Sequence, residues 1–207
     1  MFDFILIITL LICYLEFVNG FSNMKLFNMN IRKSNQKMMM QVNEVKICNG
    51  RAKTLFNEIV VSTKKGISFH DITSDIQETI DSAGITEGSV SVCARHTTTA
   101  ITINEMEERL IDDTRQFLFK LVPSAYPYLH NDIHLRSGPE DWPGGDEAWR
   151  EQEPSNCHSH LISMLLGVSE SIPVHEGKLQ IGTWQSVILV ELDGERDRKV
   201  SINVMGI

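Results

Sequence analysis

The most informative segment of this 207-residue chain reads Gly182-Thr183-Trp184-Gln185-Ser186-Val187-Ile188-Leu189-Val190-Glu191-Leu192-Asp193-Gly194. Its centre, residues 187–192, is a short and almost unbroken apolar run, which predicts a buried β-strand when turn residues bound it. Asp193-Gly194 supplies such a turn and is also a hairpin signal. A second apolar run follows at residues 200–204. This part of the sequence therefore predicts successive β-strands.

Upstream of this segment, strand and helix patterns alternate without a repeating unit. Four segments have the composition or the alternation of strands: residues 54–62, 67–69, 89–94 and 100–103. A helix is indicated where isoleucine recurs every four residues, at Ile72, Ile76 and Ile80. Gly84 is a typical stop for this helix, and a second helical pattern over residues 110–121 ends before Pro123.

The stretch 137–154 differs from the rest of the chain because it is rich in Gly, Pro and acidic residues. We expect a long, solvated loop here. After it, Ser155 or Asn156 can cap a third helix that closes at Gly167. The order of elements disfavours a TIM barrel and a doubly wound sheet. The sequence predicts an α+β fold, a two-layer antiparallel β-sandwich with about three helices.

Composition and charge exclude some classes of protein. The apolar fraction of 42% and the charged fraction of 22% are those of an ordinary globular domain. The net charge is −8, and because residues 21–46 carry five bases against one acid, the rest of the chain is strongly acidic. An acidic body argues against a non-specific nucleic-acid binder. Three cysteines outside the leader, without paired spacing, argue against a disulfide framework or a Cys-rich zinc site.

The first 46 residues are excluded from the predicted domain, residues 47–207. Phe4–Tyr14 is apolar but too short to span a bilayer, so no stable membrane span is expected. Its length suits the centre of a signal peptide over residues 1–20, although no Lys or Arg precedes it. The alternative is an upstream extension, with translation starting at a later methionine.

Residues 21–46 form a basic leader, interpreted either as a transit segment or as a disordered tail. If residues 1–20 are a signal peptide, the chain is targeted to the secretory pathway and is then secreted or delivered to a complex plastid. Otherwise we expect a cytoplasmic protein.

Three motifs together resemble a known family. They are His96-Thr97-Thr98-Thr99-Ala100 with Asn104-Glu105, His160 with Leu166-Gly167-Val168-Ser169, and Ile172-Pro173-Val174 followed by Gly177, Leu179 and Gly182-Thr183-Trp184-Gln185. This pattern is similar to the YjbQ-like (UPF0047) family, also called the secondary thiamine-phosphate synthase family, over about residues 50–207. The resemblance implies a two-layer α+β fold, a homotrimer and a weak thiamine-phosphate synthase activity. The acidic stretch 137–154 departs from shorter bacterial members.

Three histidines match recurring positions of that family: His96, His130 and His160. They are candidate ligands of a divalent metal, zinc or magnesium, and His96 and His160 are also candidates for acid–base catalysis. The alternative is that they are hydrogen-bonded structural histidines at a subunit interface. His158 is two residues from His160, and on a helix such residues do not share a face. We therefore expect His158 to be an exposed first-turn residue.

Carboxylates, arginines and hydroxyls complete the candidate site. Glu105 is a candidate catalytic carboxylate, and Glu191 could ligate a metal or orient a histidine. Arg196 and Arg198 offer the forked donors that a small phosphate-bearing molecule needs. Thr97 and Thr98 could hold the same phosphate through hydroxyl and backbone N–H groups. Trp184 is interpreted as a core or interface residue.

Three functions stay open on this evidence. The first is the coupling of a pyrimidine diphosphate to a thiazole phosphate, which the resemblance implies. The second is a non-catalytic trimeric module that binds a metal or an anion. The third is a metal-dependent hydrolase that uses an activated water.

Overall fold

A computed structural model describes residues 50–207, so the predicted signal peptide 1–20 and basic leader 21–46 lie outside the described residues. The described residues form eight strands: β1 (Lys53–Ser62), β2 (Ser68–Asp71), β3 (Glu87–Ala94), β4 (Thr99–Asn104), β5 (Ser169–His175), β6 (Lys178–Leu179), β7 (Ser186–Glu191) and β8 (Asp197–Gly206). The α-helices are α1 (Thr73–Ala83), α2 (Glu108–Leu121), α3 (Gly145–Gln152) and α4 (Cys157–Leu166). Within residues 50–207, none of the helices is long and apolar enough to cross a membrane.

The strands form two antiparallel sheets. The larger sheet has the order β1-β8-β3-β5-β6, and the smaller has the order β2-β7-β4. The strand that follows the Asp193-Gly194 turn, β8, therefore lies between β1 and β3 rather than beside β7. The turn connects two sheets instead of closing a hairpin. The α+β class and the antiparallel sheets predicted from the sequence are confirmed.

The core fills the space between the two sheets and continues behind the smaller one. The isoleucines of α1, which are almost completely buried, pack with inward-facing residues of both sheets, including Val90, Ile202 and Leu189. On the opposite face of the smaller sheet, Ile188 and Val190 pack against Leu118 of α2 and Ile162 of α4. The four-residue spacing and the strand alternation were thus reliable signs of burial.

Two glycines face each other where β3 and β8 pair. Gly88 lies opposite Gly206 in the register of the two strands. A Cβ atom on Gly88 would stand 2.1 Å from the carbonyl oxygen of Met205, and one on Gly206 would stand 2.1 Å from that of Glu87. The two backbones can approach this closely only because neither residue has a side chain.

The prediction of a long, solvated loop over residues 137–154 was wrong in part, because the segment contains α3. Trp149 of α3 is buried, and its ring lies 2.6 Å from the position of a Cβ on Gly138, which would leave no room for one. The guanidinium of Arg136 stacks over the same ring at 5.0 Å from its centroid. These contacts explain the difference, since they order a short helix that is too polar to stand out in the sequence.

Candidate functional site: a cavity of arginine and histidine

A cavity of about 340 Å³ opens where three segments of the fold meet. These segments are the β3–β4 loop, the start of α4 and the start of β8. The cavity is lined by Arg95, His96, Thr97, Thr98, Glu153, Pro154, Asn156, His160, Arg196 and Arg198. The structure thus brings together six of the predicted site residues, the two histidines 96 and 160, the threonines 97 and 98 and the arginines 196 and 198.

Arg198 is the buried cation of this cavity. Its Nε and Nη2 atoms each donate to Glu191, at 2.6 Å, and Nη2 also donates to Thr98 Oγ1 at 3.1 Å. Both partners of this ion pair are almost completely buried. A guanidinium has five N–H groups, and these bonds use the three on Nε and Nη2. The two N–H groups on Nη1 remain for an anion in the cavity.

Arg196 and Asn156 are held by one carboxylate at the turn that follows β7. Asp193 Oδ2 accepts from Arg196 Nη2 at 2.7 Å and from Asn156 Nδ2 at 3.0 Å. Because a carboxylate can only accept, the amide nitrogen of Asn156 must face Asp193 and its oxygen must face the other way. Asn156 is buried, and that oxygen has no hydrogen-bond partner within the described residues.

His96 is a fixed hydrogen-bond donor. Its Nε2 atom accepts from the backbone N–H of Lys199 at 2.9 Å, so the neutral ring carries its proton on Nδ1. Burial lowers the pKa of His96, and the neighbouring positive charge of Arg198 lowers it further. The pKa shift and the hydrogen bond agree, since protonation of Nε2 would break the bond to Lys199. At neutral pH, His96 is therefore an uncharged group with one N–H to offer.

His160 contacts a second predicted histidine outside the cavity lining. Its ring lies edge-on to that of His130, with 4.8 Å between centroids. Burial lowers the pKa of His160, and the charge of His130 acts in the same direction. The expectation that His158 is exposed was wrong, since this ring is half-buried and burial lowers its pKa as well. The His158 ring is half-buried because the first turn of α4 packs against the turn after β7. Ser159 Oγ, next to His158, donates to Leu192 O across this contact.

The predicted metal ligands His96, His130 and His160 are not assembled into a coordination site within one chain. The described residues contain no group of three or more His, Cys, Asp or Glu side chains that could hold a metal ion. His96 Nε2 is also engaged with the Lys199 amide. These residues therefore do not fit a protein-bound zinc or magnesium ion in a single chain.

Glu105 lies away from the cavity. It follows Asn104, the last residue of β4, whereas His96 to Thr98 precede the first, so the strand separates them by roughly 20 Å. There Glu105 borders a small pocket with Leu110 and Thr114 of α2. The structure does not bring this carboxylate to the candidate catalytic histidines, because a strand holds residues far apart that are near in sequence.

Sequence reasoning missed several cavity residues. Arg95, Glu153 and Asn156 were not predicted to line a site, and Asp193 was noticed only as part of a turn. Arg95 stands next to His96 and pairs with Glu58, so adjacency to the motif was an available signal. Glu153 stood out only as one of the acids in the stretch 137–154, and it reaches the cavity through the folding of residues 137–153. Trp184, interpreted as core or interface, is not in the core of this chain, since it is 75% exposed.

Arg136 joins the helix α3 to the cavity wall. Its Nη2 atom pairs with Glu153 Oε1 at 2.9 Å, and Nη1 donates to the carbonyl of His130 at 3.1 Å. We expect Arg136→Ala to destabilise this segment by about 1–2 kcal/mol, because it removes the ion pair, the carbonyl bond and the contact with Trp149. Limited proteolysis should then cut residues 137–153 faster than in the wild type. Arg109→Ala, an exposed change on α2, is the control. Equal cleavage rates in the wild type and Arg136→Ala would contradict this role.

Stability should fall as the pH drops from 7.5 to 5.5. Burial is the leading cause of a lowered pKa at four histidines: His70, His96, His158 and His160. The unfolded chain takes up protons near the ordinary value of 6.5, before the folded chain does. The stability that the neutral histidines contribute is therefore fully present above the unfolded pKa of 6.5. It is lost as the pH falls through their lower folded pKa values. Urea unfolding at the two pH values measures the effect. An equal midpoint at both would contradict the prediction, and His96→Gln should reduce the difference.

The match to a known protein family covers almost the same residues as the described fold. The family model for the UPF0047 protein YjbQ-like family matches residues 57–207. A UPF0047 protein of Methanothermobacter thermautotrophicus is 36% identical over 149 residues, covering 72% of this chain and 90% of the relative. One from Archaeoglobus fulgidus is 34% identical and covers 72% of this chain and 99% of the relative.

Solved structures give the same result for the fold. A YbjQ-like protein of unknown function from Sulfolobus solfataricus P2 has a TM-score of 0.65 and 31% identity, covering 76% of this chain and all of the other. A hypothetical protein from Aeropyrum pernix K1 has a TM-score of 0.62 and 30% identity, covering 74% of this chain and 99% of the other.

Proposed function

The chain belongs to the YjbQ-like UPF0047 family, and from this premise we propose that its cavity binds the phosphate of a small molecule and catalyses a weak thiamine-phosphate synthase-type coupling. The coupling joins a pyrimidine carried as its diphosphate to a thiazole phosphate. A homotrimer is part of the same proposal, as the family resemblance implies it.

The arrangement of donors around the cavity is the observation that carries this proposal. Within residues 50–207, the two N–H groups on Arg198 Nη1 take no hydrogen-bond partner, and His96 has its Nδ1–H to offer. Arg196, Thr97 and Thr98 line the same space with a guanidinium and two hydroxyls. Forked and convergent donors of this kind suit the oxygens of a phosphate or a diphosphate. They are fixed in place before a ligand arrives, so little reorganisation opposes binding.

The proposed reaction needs groups that stabilise the negative charge on the leaving diphosphate. The thiazole nitrogen forms a bond to the exocyclic methylene carbon of the pyrimidine. The bond from that carbon to the diphosphate oxygen breaks, and the electron pair leaves with the pyrophosphate. Arg198 and Arg196 can stabilise this charge, and His96 can donate Nδ1–H to a departing oxygen without a change in its own charge. Because the histidines among the described residues of one chain assemble no metal site, the arginines are the groups assigned to this task.

His160 is proposed to hold the organic part of the ligand. It lines the cavity on the side of Asn156, one helical turn away on the same face of α4. Its lowered pKa keeps the ring neutral at pH 7, so one ring nitrogen can accept a hydrogen bond. Glu105 has no part in this version of the site, since it lies at the far end of β4.

The test is an assay of the purified chain for coupling, with magnesium or zinc added and with a chelator. His160→Ala should lose most of the activity, about 100-fold, because the ligand is no longer held in position, while its circular dichroism and its oligomeric state stay unchanged. The matched control is His175→Ala. His175 is exposed and pairs with Glu87 at the start of β3, whereas the cavity lies beyond the end of that strand. A folded wild type that binds pyrophosphate but forms no product would overturn the synthase proposal.

A non-catalytic anion-binding module is the second candidate function. The observation that favours it is that each cavity arginine already has a carboxylate partner: Glu58 for Arg95, Asp193 for Arg196 and Glu191 for Arg198. His96 is likewise committed to the Lys199 amide. Such a cavity can hold an anion with guanidinium groups that carboxylates have already fixed in place. Binding of pyrophosphate without turnover, under all metal conditions, would select this reading.

A further inference from the structure

Glu191 stands behind the cavity rather than in its lining. It is completely buried, and its two oxygens accept more hydrogen bonds than the pairing with Arg198 requires. Oε2 accepts from Thr63 Oγ1 at 2.8 Å. Oε1 accepts from the backbone N–H groups of Leu192, Asp193 and Gly194, at 3.0, 2.9 and 3.3 Å. The Glu191 carboxylate therefore holds in place both the Arg198 side chain and the turn at residues 192–194.

The turn held by Glu191 carries other parts of the site. Asp193 within it binds Arg196 and Asn156, both of which line the cavity. Thr63 adds a second tie, because its hydroxyl accepts from the backbone N–H of Arg196 at 3.0 Å and its own N–H donates to Arg196 O at 3.0 Å. The positions of Arg196, Arg198 and Asn156 thus all trace back to Glu191 and Thr63.

We propose that Glu191, assisted by Thr63, is the positioning residue of the anion site, which it organises without touching the ligand. The inference rests on the proposed function, since the anion it serves is the phosphate group of the ligand. The contrasting explanation is that the buried pair only stabilises the fold. In that case the arginines would bind phosphate equally well in any variant that remains folded.

The charge of Glu191 also reaches His96. It acts to raise the pKa of His96, against the larger effects of burial and of Arg198. A neutral residue at position 191 should therefore lower the pKa of His96 further. General loosening of the site would have the opposite effect, because a ring exposed to water returns toward the ordinary value of 6.5. The direction of this shift separates a local change in charge from partial unfolding.

The experiment measures the binding of inorganic pyrophosphate to the purified chain by calorimetry, with NMR of the His96 ring and of the Arg198 Nε–H group. We expect Glu191→Gln to weaken binding on the order of tenfold, lower the His96 pKa and speed the exchange of the Arg198 Nε–H with water. Thr63→Val should weaken binding about threefold, and Thr63→Ser should restore it. The control Asp112→Asn removes an exposed ion pair with Arg115 on α2 and should change nothing.

Failure of the positioning role of Glu191 and failure of the proposed function give different binding results. If folded Glu191→Gln binds pyrophosphate as tightly as the wild type, Glu191 does not position the site and the inference is overturned. If the wild type binds no pyrophosphate, the proposed function fails instead. The exchange rate of the Arg198 Nε–H then decides the inference alone. Unchanged protection in Glu191→Gln overturns it, and lost protection supports it.

Discussion

Arg198→Ala is expected to lower the free energy of unfolding by roughly 3–5 kcal/mol and to abolish pyrophosphate binding. The change removes the only cation that Glu191 contacts at hydrogen-bond distance within the described residues and leaves the carboxylate buried. Urea unfolding followed by circular dichroism measures the first effect, and calorimetry of the folded fraction measures the second. The stability loss should shrink at acid pH. Burial acts to raise the pKa of Glu191, but Arg198, the Asp193 amide and Thr63 bring it below 4.5 in the wild type.

The pH dependence of this stability loss follows from the lowered pKa of Glu191. Because the folded pKa is lowered, the ion pair contributes fully above the unfolded value near 4.5 and is lost as the pH falls through the folded pKa. The double variant Arg198→Met with Glu191→Leu separates structure from function. Replacing both partners with apolar residues should recover part of the stability but none of the binding, because the amides of Asp193 and Gly194 lose the acceptor that Glu191 provides. Recovery of pyrophosphate binding in the double variant would show that Arg198 is not a ligand-binding residue.

Gly88→Ala is the second change with a large expected effect, a loss of about 3 kcal/mol in unfolding free energy. The new Cβ would stand 2.1 Å from the carbonyl oxygen of Met205 and 2.8 Å from the Cα of Gly206. Both obstacles are backbone atoms, so no side-chain rotation can relieve the clash, and β3 and β8 must separate. Thermal unfolding measures the loss.

The control for this change lies on the same strand. Ser91→Ala alters an exposed position of β3 and should shift the unfolding free energy by about 0.5 kcal/mol or less. If Gly88→Ala behaves like Ser91→Ala, the close approach of the two strands is not a constraint on the fold. A loss of pairing should also appear as faster amide exchange in β8.

The fold was predictable where burial imposes a regular period on the sequence. The spacing of Ile72, Ile76 and Ile80 and the run at residues 187–192 both indicated buried elements, and the structure places both in the core. The helix α3 was not predictable in the same way. It is short and polar, and its order depends on Trp149 packing against Gly138 and Arg136, residues outside the helix. Contacts of this kind leave no periodic signal.

Most of the site was predictable where its residues are close in sequence, and the isolated His160 was indicated by the family resemblance. His96, Thr97 and Thr98 form one loop, and Arg196 and Arg198 begin one strand, so a motif could indicate each group. Glu105 is close to that loop in sequence but is separated from it by β4. Asn156 and Glu153 reach the cavity through packing between distant segments. The number of residues between two positions says little about their distance when a strand lies between them.

The position of β8 has a consequence for biosynthesis. It is the last of the eight strands found in residues 50–207, yet it occupies the inside of the larger sheet, between β1 and β3. A chain emerging from the ribosome therefore displays β1 and β3 with their facing edges unpaired until the final strand is made. Those edges are open to wrong partners during this interval. Closure must also join residues roughly 150 positions apart, such as Lys53 and Gly206, which predicts slow folding and a role for chaperones during synthesis.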